Sequence, residues 1–202
     1  MPLACIAVMP MAFAVAMEQQ PLRGERVSPP QVPTDIQVPP GNRAFLEGHA
    51  IGTQNYVCLP ANNGFAWTFF APQATLFNDN FKQIITHFLS PNPSEGGTLR
   101  ATWQHSQDTS AVWGATVQMS SDPKFVKAGA IPWLLLQVVG AHDGPTYGDK
   151  LTPMTPSYIH RVNTVGGTAP AAGCAASSDV GKKVFVPYKA DYIFYKYPDN
   201  GY

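Results

Sequence analysis

From Phe45 onward, short apolar runs alternate with clusters of Gly, Pro, Asn and Asp, and no stretch sustains a 3.6-residue period. That rhythm predicts strands joined by tight turns rather than helices. Eight segments qualify, near residues 45–58, 64–70, 82–89, 98–105, 111–119, 131–139, 157–164 and 184–197. Trp113, Ala115, Val117 and Met119 fall on one face of their segment, with Gly114, Thr116 and Gln118 on the other, the mark of a half-buried antiparallel strand. Leu99-Ala101-Trp103 and Phe65-Trp67-Phe69 read the same way. The run Ile131 to Val139 is apolar on both faces, which places it in the most covered part of the sheet, with Pro132 at its entry. Eight antiparallel strands limit their exposed edges either as a closed barrel or as a two-sheet sandwich, and the pattern allows both. The expected fold is an all-β single domain of one of these two kinds.

Ahead of the strands the pattern changes twice. Met1 to Met17 is almost wholly apolar, lacks acidic residues and contains Ala14-Val15-Ala16, a small-residue cleavage pattern, so residues 1–16 read as a signal peptide. A basic n-region is missing, and a short buried helix is the competing reading. Residues 17–42 carry six prolines and little apolar periodicity, which suits an extended leader that drapes or dangles. The β domain then occupies 43–202. Export implies an oxidising compartment and no membrane span in the mature protein. Loss of Cys5 with the signal leaves Cys58 and Cys174, whose pairing as a disulfide follows, with two reduced buried thiols as the alternative.

Composition narrows the function classes. Thirteen basic and thirteen acidic residues cancel, so no excess charge steers the protein to nucleic acid or an anionic membrane. No G-x-G-x-x-G or Walker-type loop is present, and no G-x-S-x-G nucleophile elbow. The five histidines, His49, His87, His105, His142 and His160, show no H-x-H or H-x-x-x-H spacing, so neither a metal site nor a cofactor is expected. Asp108, Asp122, Asp143 and Asp149 lie in turn-like segments, where Asp caps its own backbone. Tyr188, Tyr192, Phe194, Tyr195 and Tyr197 crowd the last strand, either as a sugar-stacking platform or as packing.

One constellation stands out from this background. By the period of two, Gly52, Gln54, Tyr56 and Cys58 share a face of the first strand. A glutamine beside a tyrosine on such a face needs hydrogen-bond partners if it is buried. His87 offers one, Trp103 an apolar wall and Arg161 an anion-facing group, so these five residues are the candidate ligand-binding pocket. A satisfied buried network that fixes strand register is the competing reading.

Several segments together carry a resemblance: Gly52-Thr53-Gln54-Asn55-Tyr56-Val57-Cys58, Ile131-Pro132-Trp133-Leu134-Leu135-Leu136, and Arg161-Val162-Asn163-Thr164 leading through Gly166-Gly167 and Ala169-Pro170 to Gly173-Cys174. They resemble an uncharacterised family of secreted bacterial and fungal proteins known only as a domain of unknown function, over about residues 40–197. The loop with Arg100 to Ser106 is similar to the fungal branch, whereas bacterial members place Gly-Pro-x-Trp soon after the histidine. Some fungal members bear a malate-dehydrogenase label, which the missing glycine loop and missing β-α alternation contradict. The resemblance implies no activity. The expected function is therefore a secreted β-scaffold that binds a small molecule, glycan or protein without catalysis. The alternative is an extracellular enzyme whose site is assembled from Gln54, Tyr56, His87 and Arg161.

Overall fold

The computed structural model describes residues 27–145, 147–152 and 156–197. The signal peptide expected at 1–16 and the leader up to residue 26 lie outside the described residues. Eight strands follow one another: β1 (Arg43–Ala61), β2 (Gly64–Phe77), β3 (Gln83–Asn92), β4 (Thr98–His105), β5 (Ala111–Ser120), β6 (Trp133–His142), β7 (Pro156–Gly166) and β8 (Lys183–Lys196). Each pairs antiparallel with the next and β8 returns to β1, so the sheet closes as a barrel and the sandwich alternative falls away. Closure gives every strand a neighbour on both sides, which answers the edge problem without a second sheet, although residues 64–73 of β2 pair with β1 alone. Among the described residues no helix is long and apolar enough to cross a membrane.

Alternation divides the apolar side chains between two cores. Inside the barrel, Leu76, Ile85, Trp103, Val112, Leu136, Ile159, Tyr192 and Phe194 pack together. Outside it, Trp133, Leu135, Val162, Ile193 and Tyr195 form a second cluster, covered by Ile36 and Val126 and flanked by Val27, Val32 and Val38. The Pro-rich segment is thus draped across the outer face of β6, β7 and β8, and Ile36, in a 3-10 turn over Thr34–Ile36, is fully buried. This explains why β6 is apolar on both faces: one faces the barrel axis, the other the strap. Four of the five crowded aromatics divide in the same way and pack the fold, Tyr188, Tyr192 and Phe194 inward and Tyr195 beneath the strap, while Tyr197, just past β8, is half exposed.

One face assignment is reversed. In β5 the residues nearest the barrel axis are Gly114 and Thr116, while Val117 and Met119 stand more than half exposed. Bulges at Trp113/Gly114 and Thr116/Gln118 interrupt the pairing of β5 with β6. The cause is the indole of Trp103: a Cβ on Gly114 would meet its ring at 2.9 Å, so the inward position must lack a side chain.

The 167–182 connection turns back over the β1–β2 hairpin. Cys174 is disulfide-bonded to Cys58 across 116 residues with Cα atoms 5.5 Å apart. Trp67 Nε1 donates to the Ala172 carbonyl, and Cys58 exchanges backbone hydrogen bonds with Gly181 and Lys182.

Candidate functional site

Within the barrel lies a cavity of about 120 Å³ to which every strand contributes. Gln54 comes from β1, Phe69 and Pro72 from β2, His87 and Leu89 from β3, and Ala101 and Trp103 from β4. Thr116, Leu134 with Leu136, Arg161 and Tyr192 complete the wall from β5, β6, β7 and β8. Trp103 and Tyr192 are fully buried at its inner end, while Phe69 and Thr116 are exposed and form its rim.

His87 and Trp103 are directly paired across β3 and β4, and their rings stack with centroids 4.4 Å apart and planes 11° apart. Tyr192 leans against both, 5.1 Å from the imidazole and 5.5 Å from the indole. His87 Nδ1 donates to the Thr102 carbonyl at 2.8 Å, which fixes the tautomer and leaves the Nε2 lone pair on the other side of the ring. Burial, reinforced by the positive charge of Arg161, lowers its pKa to about 3 against the supporting pull of the Thr102 bond, so the imidazole is neutral.

Arg161 is set by the entry to β6. Its Nη2 donates to the Pro132 carbonyl at 2.9 Å, and Thr164 Oγ1 donates to the neighbouring Ile131 carbonyl. No carboxylate among the described residues pairs with its guanidinium, and its buried Nε has no hydrogen-bond partner. Its charge is felt instead by the phenols of Tyr56, Tyr188 and Tyr192, where it works against the upward push of burial. Gln54 is 3% exposed, and its Nε2 also lacks a partner at hydrogen-bond geometry, although the Tyr188 hydroxyl stands beside it. Trp103 Nε1 is the third unpaired buried donor of this wall.

Of the five residues the sequence grouped, four, Gln54, His87, Trp103 and Arg161, therefore line one cavity. Tyr56 does not. It lies beyond the irregularity between Asn55 and Tyr56 in the β1–β2 pairing, donates its hydroxyl to the Gly167 carbonyl at 2.7 Å, and packs edge-on against Phe69. It supports the rim through Phe69. Thr116 and Pro72 were not among the candidates, because Thr116 belongs to the less apolar face of its segment and Pro72 lies beyond the strand expected at 64–70.

A second polar group was also missed. On the outer wall, Glu47, His49 and Asp191 bring ligand-type atoms within 4.8 Å of one another. His49 donates from Nδ1 to Asp191 at 2.7 Å and from Nε2 to Asp79 at 2.8 Å. Those carboxylates, Asp191 foremost, raise its pKa against the opposing effect of burial, and with both nitrogens donating no lone pair is left for a metal. The group reads as an ion-pair network joining β1, β8 and the 78–82 turn. Glu47-x-His49 alternation was the one local signal for it; Asp191 is 142 residues away in the chain.

The family of proteins of unknown function DUF3455 matches residues 39–196, and the chain belongs to that family. No curated protein matches the chain, and no solved structure does.

Proposed function

We propose that this protein is exported and that its barrel is a non-enzymatic binding module, which takes a small molecule into the axial cavity. The observation that carries the reading is the wall itself: eight strands converge on a concave, mostly apolar space walled by a few polar side chains, three of whose buried N–H donors lack a partner among the described residues. In a network serving only strand register these donors would be satisfied, since an unpaired buried donor costs about 1–3 kcal/mol. Export is supported by the Ala14-Val15-Ala16 pattern and by the disulfide, which suits an oxidising compartment. Recovery of the protein from the medium with Met17 as its first residue tests that part; retention of Met1 in the exported chain would contradict it.

Catalysis fits the cavity less well. The imidazole of His87, with a pKa of about 3, is a weak base at neutral pH, and among the described residues no carboxylate or cysteine lines the wall to partner it. The volume also argues against a glycan chain as occupant, because about 120 Å³ holds no more than one small ring.

A thermal-shift screen with single-ring fragments tests the reading, because a ligand bound only by the folded state stabilises it by about 2.7 kcal/mol at a hundred times its Kd. Fragments that stabilise the wild type should fail to stabilise Ala101→Leu, whose added carbons fill the cavity. Equal stabilisation of both proteins would place binding elsewhere and refute the proposal.

A further inference from the structure

The cavity wall also carries information about the charge of its occupant. The three buried polar atoms of the wall without partners, Gln54 Nε2, Trp103 Nε1 and Arg161 Nε, are all N–H donors. All three are enclosed by the wall, so what reaches an occupant is the charge behind them rather than the N–H groups themselves. Arg161 adds a full positive charge that no carboxylate among the described residues neutralises. Gln54 and Arg161 stand on β1 and β7, either side of β8, where the Tyr188 and Tyr192 hydroxyls lie 3.3 Å apart between them. One end of the space is thus polar and cationic. Below the rim of Phe69, Pro72 and Thr116, the remainder is Leu89, Ala101, Leu134, Leu136 and the stacked pair His87–Trp103, which is flat and apolar.

Resting on the binding-module reading, we infer that the occupant is a small planar monocarboxylate. Its carboxylate is received by Arg161 and Gln54, and its ring lies against Trp103 and the leucines. A guanidinium receives a carboxylate through charge-assisted, often paired hydrogen bonds, which a neutral hydroxyl cannot reproduce. Size sets the other limit. A dry cavity of about 150 Å³ holds benzene, and this one, at about 120 Å³ with an open rim for the head group, suits a single ring.

Benzoate, benzyl alcohol and acetate are the probes, titrated calorimetrically into the oxidised protein at low and high salt. Benzoate is expected to bind at least about tenfold more tightly than benzyl alcohol, the gap that a charge-assisted hydrogen bond supplies over a neutral one. That gap should shrink as salt rises, and acetate should bind more weakly than benzoate for want of the ring. In Arg161→Gln the preference for benzoate should vanish; should that variant not fold, Arg161→Lys, which keeps the charge and loses the fork, should retain only part of it. Benzyl alcohol binding as tightly as benzoate in the wild type would overturn the inference while leaving the binding module standing. Binding of neither ring compound would overturn both.

Discussion

The His87 imidazole lies flat on the Trp103 indole, 4.4 Å away, with its only protein hydrogen bond among the described residues directed to the Thr102 carbonyl of the same strand pair. A histidine so placed is part of an aromatic floor, and the environment that makes it so has a consequence for stability. Its folded pKa of about 3 lies below the roughly 6.5 of an unfolded histidine, so the unfolded chain takes up the proton first. The stability this group contributes is therefore fully present above about pH 6.5 and drains as the pH falls toward 3. His105 and His160, both lowered by burial, act in the same direction. His49 acts oppositely: its raised pKa stabilises fully below the unfolded value, and that share is lost as pH rises through the folded one. Urea denaturation from pH 7.5 to 4 should show stability falling by up to about 1.4 kcal/mol per pH unit for each such histidine. His87→Gln should flatten part of the slope, and an imidazole of His87 that titrates near 6.5 by NMR would contradict the account.

The strap is fastened by a second histidine. His160 Nε2 donates to the Ile36 carbonyl at 2.7 Å and Nδ1 accepts from the Tyr195 hydroxyl at 3.0 Å, while the Ile36 side chain is fully buried over the outer cluster. Ile36→Ala should cost about 2–4 kcal/mol in chemical denaturation, the range for truncating a buried aliphatic side chain. A loss under about half a kcal/mol, the scale of an ordinary surface substitution, would mean that the strap is dispensable.

The strand pattern was legible because period-two alternation is local: each of the eight expected segments overlaps a strand, with β2 and β3 running further at their ends. Barrel closure was not, since the pairing of β1 with β8 joins the two ends of the domain and leaves no mark on either segment alone. Gln54 stood out because the period of two sets it on one face with Tyr56, and His87 as a hydrogen-bonding partner for it; the fold brings Gln54 and His87 to one cavity. The inward face of β5 was misread because its inward residues, Gly114 and Thr116, are the less apolar set; space for the Trp103 ring, rather than hydrophobicity, decides that face. The outer cluster was half visible in the doubly apolar β6, but its cover came from a Pro-rich segment with no periodicity to announce it.

The disulfide ties the 167–182 connection to β1. Closing a loop of 116 residues contributes about 4–5 kcal/mol in the chain-entropy model. Cys174→Ser, compared with the oxidised wild type, should lose up to that amount, and alkylation of the denatured wild type should label neither Cys58 nor Cys174 until a reductant is added. Labelling without reductant would remove the bond from the account.

The central claim is that the axial cavity receives a small molecule, and side-chain NMR addresses it at the atoms concerned. In a titration with benzoate, the Gln54 Nε2, Trp103 Nε1 and Arg161 Nε proton resonances should shift together along one saturating curve, while the Trp67 Nε1 proton, held by the Ala172 carbonyl outside the cavity, stays in place. Should a panel of single-ring ligands saturate the protein with those three resonances unmoved, or shift only residues on the outer wall, the cavity is not the binding site and the claim is wrong.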